Sequence, residues 1–295
     1  MSFRHTRTMM SLIAIGVAGI VSLSGPAFAA PIVEQASGAN AAAIQASVDA
    51  FRADLGNPDN LNAPGPLSSG RREINWDGGG ATNGTAAVTP FTVFQNTRGA
   101  TFTTPGIGLT QTPITGGTVD IIPGGGLQGS LADINPTYAS TFVTFSPTRL
   151  FTPLGSNITD GTFSVPGTGG TVLATVAGFG AVFTDVDLAN TTSIQYFNAN
   201  NVSLGTFFVP TANNGLSFLG VSGFGDGIAR VRITSGNAAL GPNDANGNPT
   251  DVVVMDDFVY GEPKAVVPEP SSMLLLATGV VFVWIRKKAG TPMTR

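Results

Sequence analysis

Short apolar runs separated by turn residues fill the middle of the chain, and this pattern limits the fold more than any other feature. Apolar and polar residues alternate in several of these runs, which is typical of strands with one buried face. Most of the later runs begin roughly 10 to 13 residues apart, the spacing of strands in a β-sandwich. Strands are predicted at 91–94, 141–145, 161–165, 172–176, 181–186, 193–197, 204–209, 216–221, 229–233 and 252–259. The predicted fold class is therefore all-β, a β-sandwich or jelly roll, over residues 91–262.

Composition supports strands and tight turns rather than long surface helices. Only 11% of the residues are charged, while the chain contains 39 Gly and 20 Pro. Residues 30–267 hold eight basic and 17 acidic side chains, a formal charge of −9. This sign argues against binding to nucleic acid or to an anionic membrane surface, and it suits a soluble protein outside the cell.

The chain has no cysteine and one histidine, His5, which lies in the N-terminal segment. Without that segment, a Ser-His-Asp or Cys-His nucleophile, a His general base and a zinc site with imidazole ligands are all excluded. Carboxylate chemistry is still available. No acid and base pair is placed by the sequence, however, so the chain is predicted not to be an enzyme.

The first 29 residues are predicted to be a signal peptide. Arg4 and Arg7 form a basic start, and an apolar stretch over 9–23 follows. The small residues Ala27, Ala29 and Ala30 then supply the pattern that a signal peptidase cleaves. The alternative is a retained N-terminal anchor.

The C-terminus has three parts in a fixed order. Pro268, Glu269 and Pro270 come first, an apolar run over 273–285 follows, and the basic residues Arg286, Lys287 and Lys288 come last. The apolar run is predicted to be a transmembrane helix, although it is shorter than the ~20 residues of a full span. The basic cluster should stay in the cytoplasm. An ordinary membrane anchor is the alternative.

These three parts resemble the PEP-CTERM sorting signal of exported bacterial proteins, over residues 266–290. The resemblance implies recognition by an exosortase, an integral-membrane cysteine protease, after export and signal peptidase cleavage. It also implies transient anchoring in the inner membrane, followed by transfer to the cell surface or the extracellular polymer. Pro268 and Pro270 favour an extended backbone that can enter a protease cleft.

Residues 30–90 are predicted to be a helix and a loop that lead into the sandwich. Ile44, Val48, Phe51 and Leu55 form one apolar stripe within a helix predicted over 34–55. The helix is expected to pack on one face of the β domain, and a partner-binding helix is the alternative.

A candidate ligand patch follows in the loop, at Arg71, Arg72, Trp76 and Asp77. These residue types can stack on and hydrogen-bond to a sugar. The alternative is a tryptophan buried under the loop with its neighbouring charges paired.

The segment 178–262 resembles the galactose-binding-like β-sandwich modules found in many PEP-CTERM proteins, with Asp256-Asp257-Phe258 in a late strand as the most telling feature. Asp185 and Asp187 form a second acidic pair, since residues two apart on a strand share a face. If strands 181–186 and 252–259 are adjacent, the two pairs are candidate ligands of one structural calcium ion. The alternatives are surface carboxylates, or pairing of Asp256 and Asp257 with Arg230 and Arg232.

Three functional hypotheses follow. The first is a structural or adhesive protein of the cell surface or extracellular matrix, with signal peptidase and exosortase as partners. The second is a calcium-assisted carbohydrate-binding module whose partner is an extracellular polysaccharide. The third and most distant is an extracellular polysaccharide hydrolase.

Overall fold

Two antiparallel sheets form the fold of this chain, which is seen in a computed structural model. The structure describes residues 30–78, 85, 87–116, 120–122, 126–224, 227–241 and 249–266. The strands are β1 (Ile32–Gly38), β2 (Arg71–Ile74), β3 (Ala100–Thr103), β4 (Gly108–Pro113), β5 (Asp120–Ile122), β6 (Gly126–Gln128), β7 (Arg149–Leu154), β8 (Ile158–Phe163), β9 (Ala174–Thr175), β10 (Gly178–Val186), β11 (Ser193–Phe197), β12 (Ser203–Phe208), β13 (Ala212–Ser222), β14 (Arg230–Thr234), β15 (Val254–Gly261) and β16 (Lys264–Ala265). The helices are α1 (Ala41–Leu55), α2 (Gln95–Arg98), α3 (Leu131–Ile134) and α4 (Tyr138–Thr141).

The larger sheet has the strand order β1-β13-β10-β15-β7-β4, and β2 pairs with the second half of β15. The smaller sheet has the order β12-β11-β14-β8-β3. Two short pairs, β16 with β9 and β5 with β6, lie outside these sheets. The predicted adjacency of strands 181–186 and 252–259 is confirmed, because β10 pairs with β15.

One apolar core lies between the two sheets. The smaller sheet contributes alternate residues such as Phe102, Ile194 and Val231, and the larger sheet contributes residues such as Phe179 and Phe258. Each strand therefore turns one row of side chains inward, as the alternating sequence predicts. Two sheets that face each other across a shared core are the arrangement of a β-sandwich. The prediction of a mostly β fold is confirmed.

Helix α1 covers the outer face of the larger sheet. Its predicted stripe, Ile44, Val48, Phe51 and Leu55, is buried against residues of β10, β13 and β15. The helix begins later than predicted, because Asn40 caps its N-terminus by accepting a hydrogen bond from the Ala43 N–H. The residues before this cap form β1, so the part of the predicted helix that precedes residue 41 is wrong.

Two glycines make room for the helix. Gly180 of β10 lies directly opposite Gly220 of β13, and both lie beneath the ring of Phe51. A Cβ atom at Gly220 would come within 2.6 Å of that ring. The glycine pair therefore sets how closely α1 approaches the sheet.

Two predicted strands are not strands in the structure. At 91–94, only Phe91 forms a bridge, to Phe102, before the chain turns into α2. At 141–145, α4 ends and an irregular segment follows, in which the Val143 N–H donates to the Thr184 hydroxyl. This backbone group bonds to a side chain, so the segment joins no sheet.

The predicted boundary at residue 91 does not separate two structural units. Strands β1 and β2 precede it, yet they pair with β13 and β15 of the larger sheet. The residues predicted to be a lead-in thus supply strands to the sandwich itself.

None of the helices within the described residues is long and apolar enough to cross a membrane. The predicted signal peptide, 1–29, and the predicted transmembrane segment, 273–285, lie outside the described residues. Both stay predictions.

Substitution Gly220→Ala is expected to destabilise the domain by roughly 2 kcal/mol, because overpacking a close contact forces the Phe51 ring or the backbone to move. Thermal unfolding measures this as a lower Tm. Gly241→Ala is the control, since a Cβ atom there meets nothing within 4 Å. Equal Tm values for the two variants would contradict the described packing of α1.

Candidate functional site

Two consecutive acidic residues of β15 point to the same side of the sheet. The register with β10 shifts between Met255 and Phe258, so that Asp256 and Asp257 together lie opposite one residue. In a regular strand, neighbouring side chains point to opposite faces. This β-bulge brings the two carboxylates together.

The carboxylates of Asp256 and Asp257 both lie within hydrogen-bond distance of the Ser146 hydroxyl. The carboxylate of Asp77 contacts the same hydroxyl. The Ser146 Oγ atom lies 2.7 Å from Asp257 Oδ1, 3.0 Å from Asp77 Oδ2 and 3.4 Å from Asp256 Oδ1. One hydroxyl has a single hydrogen to donate. The four residues Asp77, Ser146, Asp256 and Asp257, here called the Ser146 cluster, therefore hold more acceptors than this donor satisfies.

Backbone N–H groups donate hydrogen bonds to carboxylate oxygens that the Ser146 hydroxyl does not satisfy. The Phe145 N–H donates to Asp256 Oδ2 at 2.6 Å, and the Arg149 N–H donates to Asp77 Oδ1 at 2.9 Å. The Thr148 N–H also donates to Asp77 Oδ1. The carboxylates thus fix the irregular segment between α4 and β7.

Burial dominates the electrostatics of the Ser146 cluster. Burial raises the pKa of Asp256 well above its ordinary value, and the nearby charge of Asp257 adds to the effect. Burial also raises the pKa of Asp257, although the Ser146 hydroxyl and the charge of Arg52 oppose the change. Burial therefore shifts the ionisation of both carboxyl groups to higher pH.

A second acidic group lies where β10 ends. Asp251 is fully buried; it accepts a hydrogen bond from the Asp187 N–H at 3.0 Å and another from the Thr191 hydroxyl. Asp185 has a φ of 66° and accepts the Asn214 N–H at 2.7 Å. Asp185, Asp187 and Asp251 are here called the Asp251 cluster.

Burial raises the pKa of Asp185 from its ordinary value of 3.8 to about 7, and the charges of Asp187 and Asp251 add to this shift. The hydrogen bond from the Asn214 N–H works in the opposite direction. Burial and the charge of Asp251 also raise the pKa of Asp187.

The four predicted calcium ligands do not converge on one ion. Asp185 and Asp187 lie in the Asp251 cluster, whereas Asp256 and Asp257 lie in the Ser146 cluster, each with its own partners. Thr184 lies opposite Val254, so the bulge is about three residues, or ~10 Å, from the end of β10. Across the residues that the structure describes, no group of three or more Asp, Glu, His or Cys side chains is placed to hold a metal ion. A calcium ion shared by these four carboxylates does not fit the structure.

The alternative in which Asp256 and Asp257 pair with Arg230 and Arg232 does not hold either. Both arginines bond to Asp160 on the smaller sheet instead. The prediction that the chain binds a structural calcium ion stays untested and is left without an assigned site.

The candidate ligand patch is dispersed in the structure. Trp76 has no exposed surface; its indole stacks on Phe151 with the ring centroids 3.7 Å apart, and its Nε1–H donates to the Asp256 carbonyl. An indole without exposed surface cannot stack on a sugar, so the sugar-binding interpretation of this patch is corrected. The alternative, a tryptophan buried under the loop, is what the structure shows.

The charges of the patch are paired. Arg71 bonds to Glu73, and Asp77 belongs to the Ser146 cluster. Arg72 is fully buried and forms two parallel hydrogen bonds to Glu262, from Nε at 2.6 Å and from Nη2 at 2.8 Å. The remaining nitrogen, Nη1, donates to the carbonyls of Leu61 and Ala63. Arg72 is thus a structural residue that connects β2 and the loop before it to the end of β15.

The described chain ends on the surface at Val266, the first residue of the predicted sorting tail. Strand β16 pairs with β9, and the Val266 N–H donates to the Leu173 carbonyl at 3.1 Å. Ala265 and Val266 are exposed. The sorting residues Pro268, Glu269 and Pro270 and the basic residues Arg286, Lys287 and Lys288 lie outside the described residues. So do Ala27 and Ala29, while Ala30 is the first described residue and is exposed.

Comparison with known proteins identifies the tail and nothing upstream of it. A family model for the PEP-CTERM protein-sorting motif matches residues 266–288. This motif indicates an exported protein that is sorted by an exosortase, with a C-terminal tail anchored in the membrane before processing. No curated protein and no solved structure is significantly similar to the chain. The resemblance of residues 178–262 to galactose-binding-like modules therefore stays a prediction.

Sequence reasoning missed several members of these groups. Glu262 gave no signal as the partner of Arg72, because the two lie 190 positions apart. Ser146 stood in a turn-rich stretch without a motif, and Asp251 ended a stretch, 243–251, that resembles an EF-hand loop only loosely and was interpreted as a solvated turn. The bulge at Asp256 and Asp257 was signalled only by two adjacent carboxylates in an otherwise apolar strand.

Substitution Arg72→Leu is expected to destabilise the domain by about 3–5 kcal/mol, because it leaves Glu262 buried without a counter-charge. Arg71→Leu should cost only about 1 kcal/mol, since Arg71 is partly exposed and Glu73 keeps Arg52 as a second partner. Urea unfolding measures both values. A cost for Arg72→Leu no larger than that for Arg71→Leu would contradict the assigned role of Arg72.

Substitution Asp185→Asn should flatten the pH dependence of stability. The folded state raises the pKa of Asp185 to about 7, so the stabilising contribution of its proton is complete below pH ~4 and is lost as the pH rises through about 7. Asn keeps the acceptor for the Asn214 N–H and tolerates a positive φ. The variant should match the unsubstituted protein at pH 4 and unfold at a higher temperature at pH 8.

The control for this experiment is Asp54→Asn, since Asp54 is exposed on α1. A constant difference in Tm between Asp185→Asn and the unsubstituted protein, from pH 4 to pH 8, would disprove titration of Asp185 in this range.

Proposed function

We propose that this chain is a structural or adhesive protein of the cell surface or extracellular matrix, exported and then released from its membrane anchor by an exosortase. The observation that carries the proposal is the match of residues 266–288 to the PEP-CTERM protein-sorting motif. In this proposal, signal peptidase removes residues 1–29, and exosortase acts at or near Pro268, Glu269 and Pro270.

The position of the tail relative to the fold supports this order of events. Strand β16 ends at Ala265, and the hydrogen bond of Val266 to Leu173 is the last backbone bond of the described chain. A cut beyond Val266 breaks none of the described contacts. Removal of the tail therefore releases the domain without unfolding it, as a sorted surface protein requires.

The proposed role is non-catalytic. Residues 30–266 contain no His or Cys. The paired carboxylates that a polysaccharide hydrolase would need are buried in this fold, with Asp256 fully buried and Asp257 only 5% exposed. They accept hydrogen bonds from the segment before β7, and this supports a structural use of the acidic pair over a hydrolytic one.

Intact mass spectrometry of the protein recovered from the cell surface and the medium tests the proposal. The expected species begins at Ala30 or Pro31 and ends between Pro268 and Pro270. In cells without exosortase, the expected species keeps the tail through Arg295.

A variant with Pro268→Ala, Glu269→Ala and Pro270→Ala should also keep its tail in cells that contain exosortase. The control is Gly241→Ala, which leaves the motif intact, meets open space in the fold and should be processed normally. A surface protein that retains residues 273–295 in exosortase-containing cells would overturn the proposal in favour of a plain anchor.

A further inference from the structure

The outer face of the smaller sheet is polar and carries two arginines. Inward positions of β14, such as Val231 and Ile233, lie in the core, so Arg230 and Arg232 point outward. The same alternation turns Asp160 of β8 outward, next to Arg232.

The register of the strands places these side chains in two rows. In the first row, Thr162, Arg230 and Phe197 are cross-strand neighbours. In the second row, the neighbours are Asp160, Arg232 and Gln195. These six residues are here called the arginine face.

Asp160 holds both guanidinium groups in place. Arg232 bonds to it through Nε at 3.0 Å and Nη2 at 2.7 Å, and Arg230 bonds to it through Nη1 at 2.9 Å. The Nε and Nη2 atoms of Arg230 donate to Asn201 Oδ1 at 3.3 Å and 2.7 Å. Since two cations share one carboxylate, the arginine face carries a net charge of about +1. The Arg232 side chain is 47% exposed, and its Nη1 has no hydrogen-bond partner among the described residues.

This local charge is opposite to that of the domain. Residues 30–267 carry a formal charge of −9, and two of their eight basic side chains stand on this face. Charges further than about 10 Å away are largely screened at 0.1 M salt. An anionic chain is therefore attracted at the arginine face and repelled over the acidic remainder of the surface.

Aromatic groups add a second means of recognition. The guanidinium of Arg230 lies over the Phe197 ring, 3.6 Å from its centroid, and this contact holds the cation flat against the sheet. Phe208, at the edge strand β12, is 48% exposed on the same side of the sheet. Because Arg230 covers the Phe197 ring, the exposed ring of Phe208 is the aromatic surface of this face that a sugar ring can contact.

We propose that the arginine face binds a carboxylate-bearing polysaccharide, with a uronate group at the exposed guanidinium of Arg232 and the charge of Arg230 adding to the attraction. A guanidinium group has five N–H donors, so Arg232 keeps donors for a ligand carboxylate after its two hydrogen bonds to Asp160. This inference rests on the proposed function, because it supplies the adhesive contact of a protein released into the extracellular polymer.

Affinity electrophoresis of the surface-recovered protein in gels that contain polygalacturonate tests the inference. Binding should retard the protein, whereas neutral dextran should leave its mobility unchanged. The double variant Arg230→Gln and Arg232→Gln should bind polygalacturonate at least ~10-fold more weakly, the change of about 1.4 kcal/mol expected for lost charge-assisted hydrogen bonds. Arg52→Gln, on the opposite side of the domain, is the matched control and should bind normally.

Asp160→Asn provides a test that misfolding cannot mimic. This variant removes the one carboxylate of the arginine face, so the net positive charge of the face rises and binding should become tighter.

Unchanged binding in the double arginine variant, or no retardation of the unsubstituted protein, would overturn the inference. Retardation by dextran sulfate but not by polygalacturonate would also overturn it, since the ligand would then be a sulfate. The mass of the same preparation reports tail removal independently, so failure here is distinct from failure of the proposed function.

Discussion

The buried ion pair between Arg72 and Glu262 connects parts of the chain that lie far apart in sequence. Glu262 follows β15 directly, and besides Arg72 it accepts hydrogen bonds from the Asn60 side chain and the Leu67 N–H. A carboxylate without exposed surface is costly to bury unless its oxygens are satisfied. The loop before β2 satisfies them, which explains why this Gly- and Pro-rich stretch has a defined structure.

The same pair lies close to Val266, the last described residue. Among the described residues after Glu262, β16 pairs with β9 and the Val266 N–H donates to Leu173, and Val266 is also the first residue that the sorting-motif model matches. A fully buried ion pair therefore lies just inside the boundary between the domain and the tail.

The alternation of apolar and polar residues correctly predicted the strands that turn one row of side chains into the core. The prediction at 193–197 coincides with β11, because Ile194 and Tyr196 face the core while their neighbours face outward. The run at 141–145 alternates equally well and is still not a strand. Its backbone N–H groups bond to Thr184 and Asp256, and no local pattern reveals such distant side-chain acceptors.

The candidate site was also predictable only in part, because contacts between distant parts of the chain decide how its residues are grouped. Strands β10 and β15 are adjacent, as expected, but the two acidic pairs lie about three residues apart along them and so form two clusters. The bulge that brings Asp256 and Asp257 together leaves little trace in a sequence. Trp76 was an ambiguous residue, and its burial against Phe151 decided between the two interpretations.

If exosortase removes the tail from a finished domain, the sandwich should be equally stable with and without that tail. Thermal unfolding of two forms tests this claim most directly: the processed protein from the cell surface, and the unprocessed protein from cells without exosortase, both in the same mild detergent. Equal Tm values, within about 1 °C, are predicted, since 1 kcal/mol corresponds to roughly 2–4 °C in a domain of this size. A Tm that falls by several degrees when the tail is lost would contradict the account.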